Sequence, residues 1–340
     1  MIPQENVPIA PLTTFKIGGP ARFFVSAKDE KDIEEAASFA RDKQLSLLVL
    51  GGGSNVLVPD DATDAVVVRY ERAEIAIELN ERGGALTADA GAEWNAVVDA
   101  ACEKKLWGIE NLAGIPGTVG GAVVQNIGAY GAELATTFLW ADAFNTDTGK
   151  TERIEKKDAQ FAYRDSLFKH NRHLVILKAA FDLKYSYVPQ HSYADLARAF
   201  AEGQVMTTPG EVATVVRKIR SKKFPDLTIE GTAGSFFKNP VLTEEAAGAL
   251  VQRYPELPRF PSKDGGIKIP LAWILDHVLH LKGFAVGGAR LFEQQPLVIV
   301  TKSGATASDV ETLAQEVATR VFKETGIVVE REVESFGATR

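Results

Sequence analysis

Two glycine-rich segments constrain this chain more than any other feature. One is Gly51-Gly52-Gly53-Ser54-Asn55, which follows the apolar run Leu45-Ser46-Leu47-Leu48-Val49-Leu50. The other runs from Gly114-Ile115-Pro116-Gly117-Thr118-Val119-Gly120-Gly121-Ala122 to Gln125-Asn126-Ile127-Gly128-Ala129-Tyr130-Gly131. Without Cβ atoms in the way, backbone N–H groups can converge on one anion. Ser54, Asn55 and Thr118 add side-chain donors. Each segment alone reads equally as a set of tight turns. Together, one per lobe, they suit a dinucleotide pyrophosphate held between lobes. Neither matches the G-x-G-x-x-G dinucleotide fingerprint, and the chain has no G-x-x-x-x-G-K-[ST] loop. Spacing alone therefore does not name the nucleotide.

The rest of the composition narrows the class. With 340 residues and 45% hydrophobic content, two or three domains with sizeable cores are expected. The net charge of -7, with basic residues spread along the chain, offers no stripe for nucleic acid and no attraction to an anionic membrane. The single cysteine, Cys102, excludes a disulfide framework and fits a reducing cytoplasm. It lies in a helical pattern and reads as a small buried residue, with a catalytic thiol as the minor alternative. The opening MIPQENVPIAPLTTF has neither a basic n-region nor an apolar h-region, so no secretion signal is expected.

Periodicity predicts an amphipathic helix from Asp29 to Lys43, strands at 45–50 and 66–68, and a hairpin turn at Asp147-Thr148-Gly149. Thr208-Pro209-Gly210-Glu211 reads as a capping box opening a helix that ends before Phe224-Pro225. Helices are expected over 243–253, 270–279 and 308–322, and strands over 297–301 and 327–333. The predicted organisation is a first lobe over 1–70, joined by a returning C-terminal strand in 325–340, a second lobe over 71–207, and a third over 208–324.

At the second glycine segment the sequence resembles the UDP-N-acetylenolpyruvoylglucosamine reductase family. Thr14-Phe15-Lys16-Ile17-Gly18-Gly19, Tyr163-Arg164-Asp165-Ser166-Leu167-Phe168-Lys169, Lys222-Lys223-Phe224-Pro225 and Gly231-Thr232-Ala233-Gly234-Ser235-Phe236-Phe237-Lys238-Asn239-Pro240 follow family motifs in order. The resemblance implies an α+β, two-lobed FAD-binding fold of the vanillyl-alcohol oxidase type, with a third α/β lobe for substrate. It implies non-covalent FAD, with NADPH and a UDP-sugar taking turns in one site. The reaction would be reduction of UDP-N-acetylglucosamine enolpyruvate to UDP-N-acetylmuramate, in peptidoglycan precursor synthesis. A cytoplasmic monomer is expected.

By the same resemblance, Gly51, Gly52, Gly53, Ser54, Asn55, Gly117, Thr118, Gly120, Gly121, Asn126 and Gly128 would line the cofactor. Hydride addition to an enolpyruvyl group leaves a carbanion conjugated to a carboxylate, which needs a fixed cation and a proton donor. Arg164 would supply the charge and Ser235 the proton, with Lys238 as a candidate helper. Glu332 would be the third catalytic group. Strand alternation also places Glu330 and Glu334 on its face, which leaves Glu330 as an alternative. Glu334 stands where the family often has a basic residue. Tyr163, Lys223, Asn239 and Gln295 would hold the substrate, and Tyr193 would close over the UDP on a loop with His191 and Ser192.

His277 and His280 are spaced i, i+3 with no third ligand nearby, so no metal is expected. His170 and His173 read as surface residues of a loop. Two competing readings remain. One is an FAD oxidase of the same fold, although the glycine loops carry no His or Cys to tether a flavin. The other is a nucleotide-binding module without catalysis.

Overall fold

The computed structural model describes residues 2–186, 193–262 and 265–337. Two compact units emerge. The first comprises Met1–Val7, Ala21–Gly52 and Asp64–Ser221; the second comprises Pro8–Pro20, Gly53–Thr63 and Lys222–Arg340.

The first unit holds two sheets. One orders the strands Gln4–Pro8, Pro20–Ala27, Thr63–Tyr70 and Ser46–Val49, and its last two strands are parallel. The predicted helix beside it is present as Glu30–Asp42, and the Asp29 side chain caps it by accepting from the Asp32 amide. Ile33, Ala36, Ala37 and Ala40 point inward from it at helical spacing. The second sheet is antiparallel, in the order Lys150–Glu155, Phe138–Asn145, Leu174–Lys184, Gly83–Asp89 and Ile75–Asn80. Its first hairpin turns at 146–149, as expected, with Gly149 at a φ of 68°. Trp94 anchors the core of this unit. It is fully buried, meets Phe181 edge-on at 5.7 Å, and donates its indole N–H to the Leu112 carbonyl at 3.1 Å.

The Pro209–Lys223 helix opens with the expected box. The Glu211 carboxylate accepts from the Thr207 and Thr208 amides, and the Glu211 amide donates to Thr208 Oγ1. Its residues Val212, Ala213, Val215 and Val216 sit in the core of the first unit, and its last two residues belong to the second.

The second unit packs Ala307–Thr325 and Glu244–Arg253 with small sheets, including Ala285–Val286, Ala289–Leu291 and Ile299–Thr301. The long helix starts in a Thr306–Asp309 capping box and stops at Gly326, whose φ is 72°. The helix expected over 270–279 is a single α turn, Leu271–Trp273, followed by a π turn, Ile274–Val278. The strand expected over 327–333 is displaced. Only Glu334–Ser335 forms a ladder, parallel to Val56–Leu57, while the preceding residues meet the 235–238 segment through the lone bridge Phe237–Arg331. The alternating pattern is real, but a neighbour engaged for only a few residues cannot extend it into a ladder.

Candidate functional site

The two glycine segments meet within the first unit. A Cβ on Gly51 would lie 2.9 Å from Thr118 Oγ1, and one on Gly52 would lie 2.6 Å from the Gly117 Cα. The second segment is stitched to 90–94 by bonds from Val119 N to Ala92 O, Gly120 N to Ala90 O, and Trp94 N to Gly117 O. Among the described residues, the amides of Gly51, Gly52 and Gly121 have no protein acceptor. The arrangement puts bare backbone on two facing loops, with donors left over for an anion. The fit to a dinucleotide is therefore good. Ser54 and Asn55 fall in the second unit, where Asn55 Nδ2 donates to the Glu332 carbonyl and Asn55 O accepts from the Glu334 amide.

Asn126 and Gly128 are tied to the turn that carries Arg164. Asn126 ends the Val119–Gln125 helix in the left-handed region, with its amide donating to Ala162 O and its Oδ1 accepting from the Ala135 amide. Ser166 Oγ donates to Val124 O, and Arg164 Nη2 donates to Gly128 O at 2.5 Å. A Cβ on Gly128 would lie 2.8 Å from Arg164 Nη1. The turn that carries Arg164 is thus laced onto the helix end residue by residue. Tyr163 and Arg164 form its two-residue tip, closed by reciprocal bonds between Ala162 and Asp165, both 3.1 Å long. Arg164 has a φ of 56°. A non-glycine residue pays on the order of 1–2 kcal/mol there, a cost the surrounding bonds must offset.

An aromatic and cationic group surrounds this tip. The Arg164 guanidinium lies 5.3 Å from the Tyr163 ring centre, and Tyr193 meets Tyr130 edge-on at 5.3 Å. Burial pushes the Tyr193 hydroxyl pKa up, Asp195 and Tyr163 push it further, and Arg164 opposes them. Tyr193 is the N-cap residue of the Ala194–Ala201 helix, with its ring against Tyr130; His191 and Ser192 lie outside the described residues. Arg220 belongs to the same group and was missed in the sequence. Burial lowers its pKa, with Tyr130 opposing and Arg164 reinforcing, and its Nε donates to Gly114 O at 3.0 Å. Its position one turn before Lys223 was the only available signal.

In the second unit, pairing of 235–238 with 330–333 brings Ser235 and Glu332 onto adjacent segments. Lys238 N donates to Glu330 O, Glu332 N to Phe236 O, and Phe236 N to Leu297 O. Glu330 is exposed and ion-paired with Lys238 at 3.2 Å. Glu332 is half-buried on the same segment. Asn239 Oδ1 accepts the Leu271 amide, which leaves its NH₂ to donate. Gln295 Oε1 is buried with no partner. Lys223 ends its helix as expected.

Burial, with Glu110 and Asp99 adding to it, pushes the Cys102 thiol up to about 12, which leaves it unreactive. His170 is exposed, as expected, ends the Leu167–His170 turn and bonds the Asp165 carboxylate at 2.8 Å. Among the described residues no cluster could hold a metal ion, and no helix is long and apolar enough to cross a membrane.

Residues 21–155 match the family described as FAD binding domain, which on this mixed α and β framework defines an FAD-dependent oxidoreductase. Residues 226–336 match the C-terminal domain of UDP-N-acetylenolpyruvoylglucosamine reductase. The reductase of that name from Neisseria meningitidis serogroup A is 40% identical over 322 residues, covering 92% of each chain. Its Escherichia coli K12 counterpart is 36% identical over 338 residues, covering 98% of this chain and 97% of its own. This chain belongs to the UDP-N-acetylenolpyruvoylglucosamine reductase family. The crystal structure of the Thermus caldophilus enzyme shares its fold, with a TM-score of 0.67 at 24% identity over 98% of this chain and 100% of that one.

Proposed function

We propose that the chain reduces UDP-N-acetylglucosamine enolpyruvate to UDP-N-acetylmuramate with NADPH as the electron source. Its place would be peptidoglycan precursor synthesis in the cytoplasm, acting as a monomer without nucleic acid or membrane partners. The observation that carries this reading is full-length identity of 36–40% to reductases of that name. The two sheets of the first unit would form the two FAD lobes, with most of 208–324 serving the substrate.

FAD held by the two glycine loops would supply the hydride-transfer chemistry between the nicotinamide and the enolpyruvyl double bond. The chain's own residues handle the charge and the proton. Arg164, presented on a fixed tip, would hold the substrate carboxylate as its charge grows. Ser235 would protonate the α-carbon, and Glu332, on the adjacent segment, would supply a second carboxyl group or orient a water. Lys223, the free NH₂ of Asn239, and Gln295 would bind the diphosphate and sugar. Glu330 is a poorer catalytic candidate because Lys238 already neutralises it at the surface.

The purified protein should be yellow and should release intact FAD on heating, since neither glycine segment holds a nucleophile for a covalent bond. NADPH consumption should depend on the enolpyruvyl UDP-sugar. Oxygen-dependent turnover of an alcohol or sugar would favour the oxidase reading, and colourless protein the module.

Tyr193 would contact the UDP portion, where a hydroxyl can donate to a phosphate oxygen. Tyr193→Phe should weaken UDP-sugar use by about 1–3 kcal/mol, the range for a hydrogen bond to a charged group. Flavin content should not change. Unaltered kcat/KM in this variant would remove Tyr193 from the substrate contacts.

A further inference from the structure

Lys169 occupies a position that the reaction as described leaves unused. Its Nζ donates to the Arg164 carbonyl at 3.1 Å and to Gln125 Oε1 at 3.0 Å. It thereby joins the strained tip to the end of the Val119–Gln125 helix. Gln125 is only 7% exposed, and its Nε2 is buried without a partner. Lys169 is therefore the group that fixes which way this buried amide points. The Arg164 carbonyl is itself the backbone group of a residue at a φ of 56°, where relaxation would swing both the carbonyl and the side chain. The other ties reach the neighbours of Arg164 or its guanidinium: Asn126 to Ala162 O, Ser166 to Val124 O, and Arg164 Nη2 to Gly128 O. The ammonium of Lys169 grips the backbone of Arg164 itself.

We propose that Lys169 is a positioning residue that holds Arg164 in its left-handed conformation, by bridging the Arg164 carbonyl and the Gln125 amide, so that the guanidinium meets the substrate carboxylate. This rests on the proposed role of Arg164. Both acceptors are neutral oxygens and the donor is an ammonium, so both hydrogen bonds are charge-assisted. A 1 Å displacement of the guanidinium would cost carboxylate recognition while leaving contacts to the rest of the ligand in place.

The test needs no turnover. Calorimetry on the flavin-loaded protein compares affinity for UDP-N-acetylmuramate, which carries the carboxylate, with UDP-N-acetylglucosamine, which lacks it. Lys169→Met should shrink this preference roughly ten- to a hundredfold, the range for losing a hydrogen bond made by a charged group. Affinity for UDP-N-acetylglucosamine and flavin content should stay within about threefold, since neither depends on the carboxylate. Lys169→Arg, which keeps the charge and donors, should recover part of the preference. Arg164→Met is run alongside. If it abolishes the preference and Lys169→Met does not, the positioning role is overturned and the Arg164 reading stands. If neither variant moves it, the Arg164 reading fails and takes the positioning role with it. If Lys169→Met weakens both ligands equally or loses flavin, Lys169 serves the fold and the inference is wrong.

Discussion

Ser235→Ala should slow oxidation of the reduced protein by the enolpyruvyl UDP-sugar by about 10²–10⁴-fold, the usual cost of removing a general acid. Reduction of the flavin by NADPH should be nearly untouched, because only the second half-reaction places a proton on carbon. The substitution is small, and the neighbouring frame does not depend on the hydroxyl. Phe236 N bonds Leu297 O, and Glu332 N bonds Phe236 O, both through backbone. Backbone pairing between residues 235 and 298 likewise survives loss of the side chain. Stopped-flow traces that separate the two half-reactions check this. Equal slowing of both would make Ser235 a structural residue of its turn.

Gly52→Ala should produce protein largely without FAD. The added Cβ would stand 2.6 Å from the Gly117 Cα, 3.1 Å from its carbonyl carbon and 3.2 Å from the Thr118 amide nitrogen. All three are backbone atoms, and they cannot rotate aside as a side-chain tip can. The Gly117 segment is held in turn by the Trp94 N to Gly117 O bond and by Val119 and Gly120 at 90–92. Relief therefore requires the two loops to separate, which costs about 1–3 kcal/mol of overpacking strain and misaligns the amides left for the pyrophosphate. The 450 nm absorbance per protein after purification measures the outcome, and added FAD should restore it poorly. By contrast, a Cβ on Gly121 would meet only Thr118 Oγ1, at 3.8 Å, so Gly121→Ala should retain far more flavin. Equal flavin content in the two variants would remove the close approach of the loops from the cofactor site.

Much of this was legible from residues alone because it depends on local chemistry. The Thr208–Glu211 capping box bonds groups three residues apart, so type and spacing suffice to find it. The turn at 146–149 and the stop at Phe224-Pro225 follow from glycine and proline in the same way. The catalytic candidates were found through long motifs and not through spacing.

Where the partner lay far away in the chain, the sequence was silent or misleading. Alternation in 327–333 predicted a strand, but the ladder depends on which segment lies alongside, and 235–238 offers too few residues. That Lys238 pairs with Glu330, 92 positions later, is likewise invisible in the sequence. Nothing near Tyr193 in the sequence announces that Tyr130, 63 positions earlier, receives its ring. Arg220 carried no motif at all, and its burial against Gly114, 106 positions earlier, exists only in the folded chain.

The sequence by itself determined the bare backbone of both glycine loops, the caps and stops of the helices, the absence of disulfides and the family's reactive side chains. Each of these is a property of a residue or of its near neighbours. Only the tertiary structure decided that Gly52 abuts Gly117, that Ser235 and Glu332 share adjacent segments, and that Lys169 grips the backbone of Arg164. Those outcomes are set by packing between residues distant in the chain, where the burial of whole cores, and not local preference, chooses which polar groups are left to find one another.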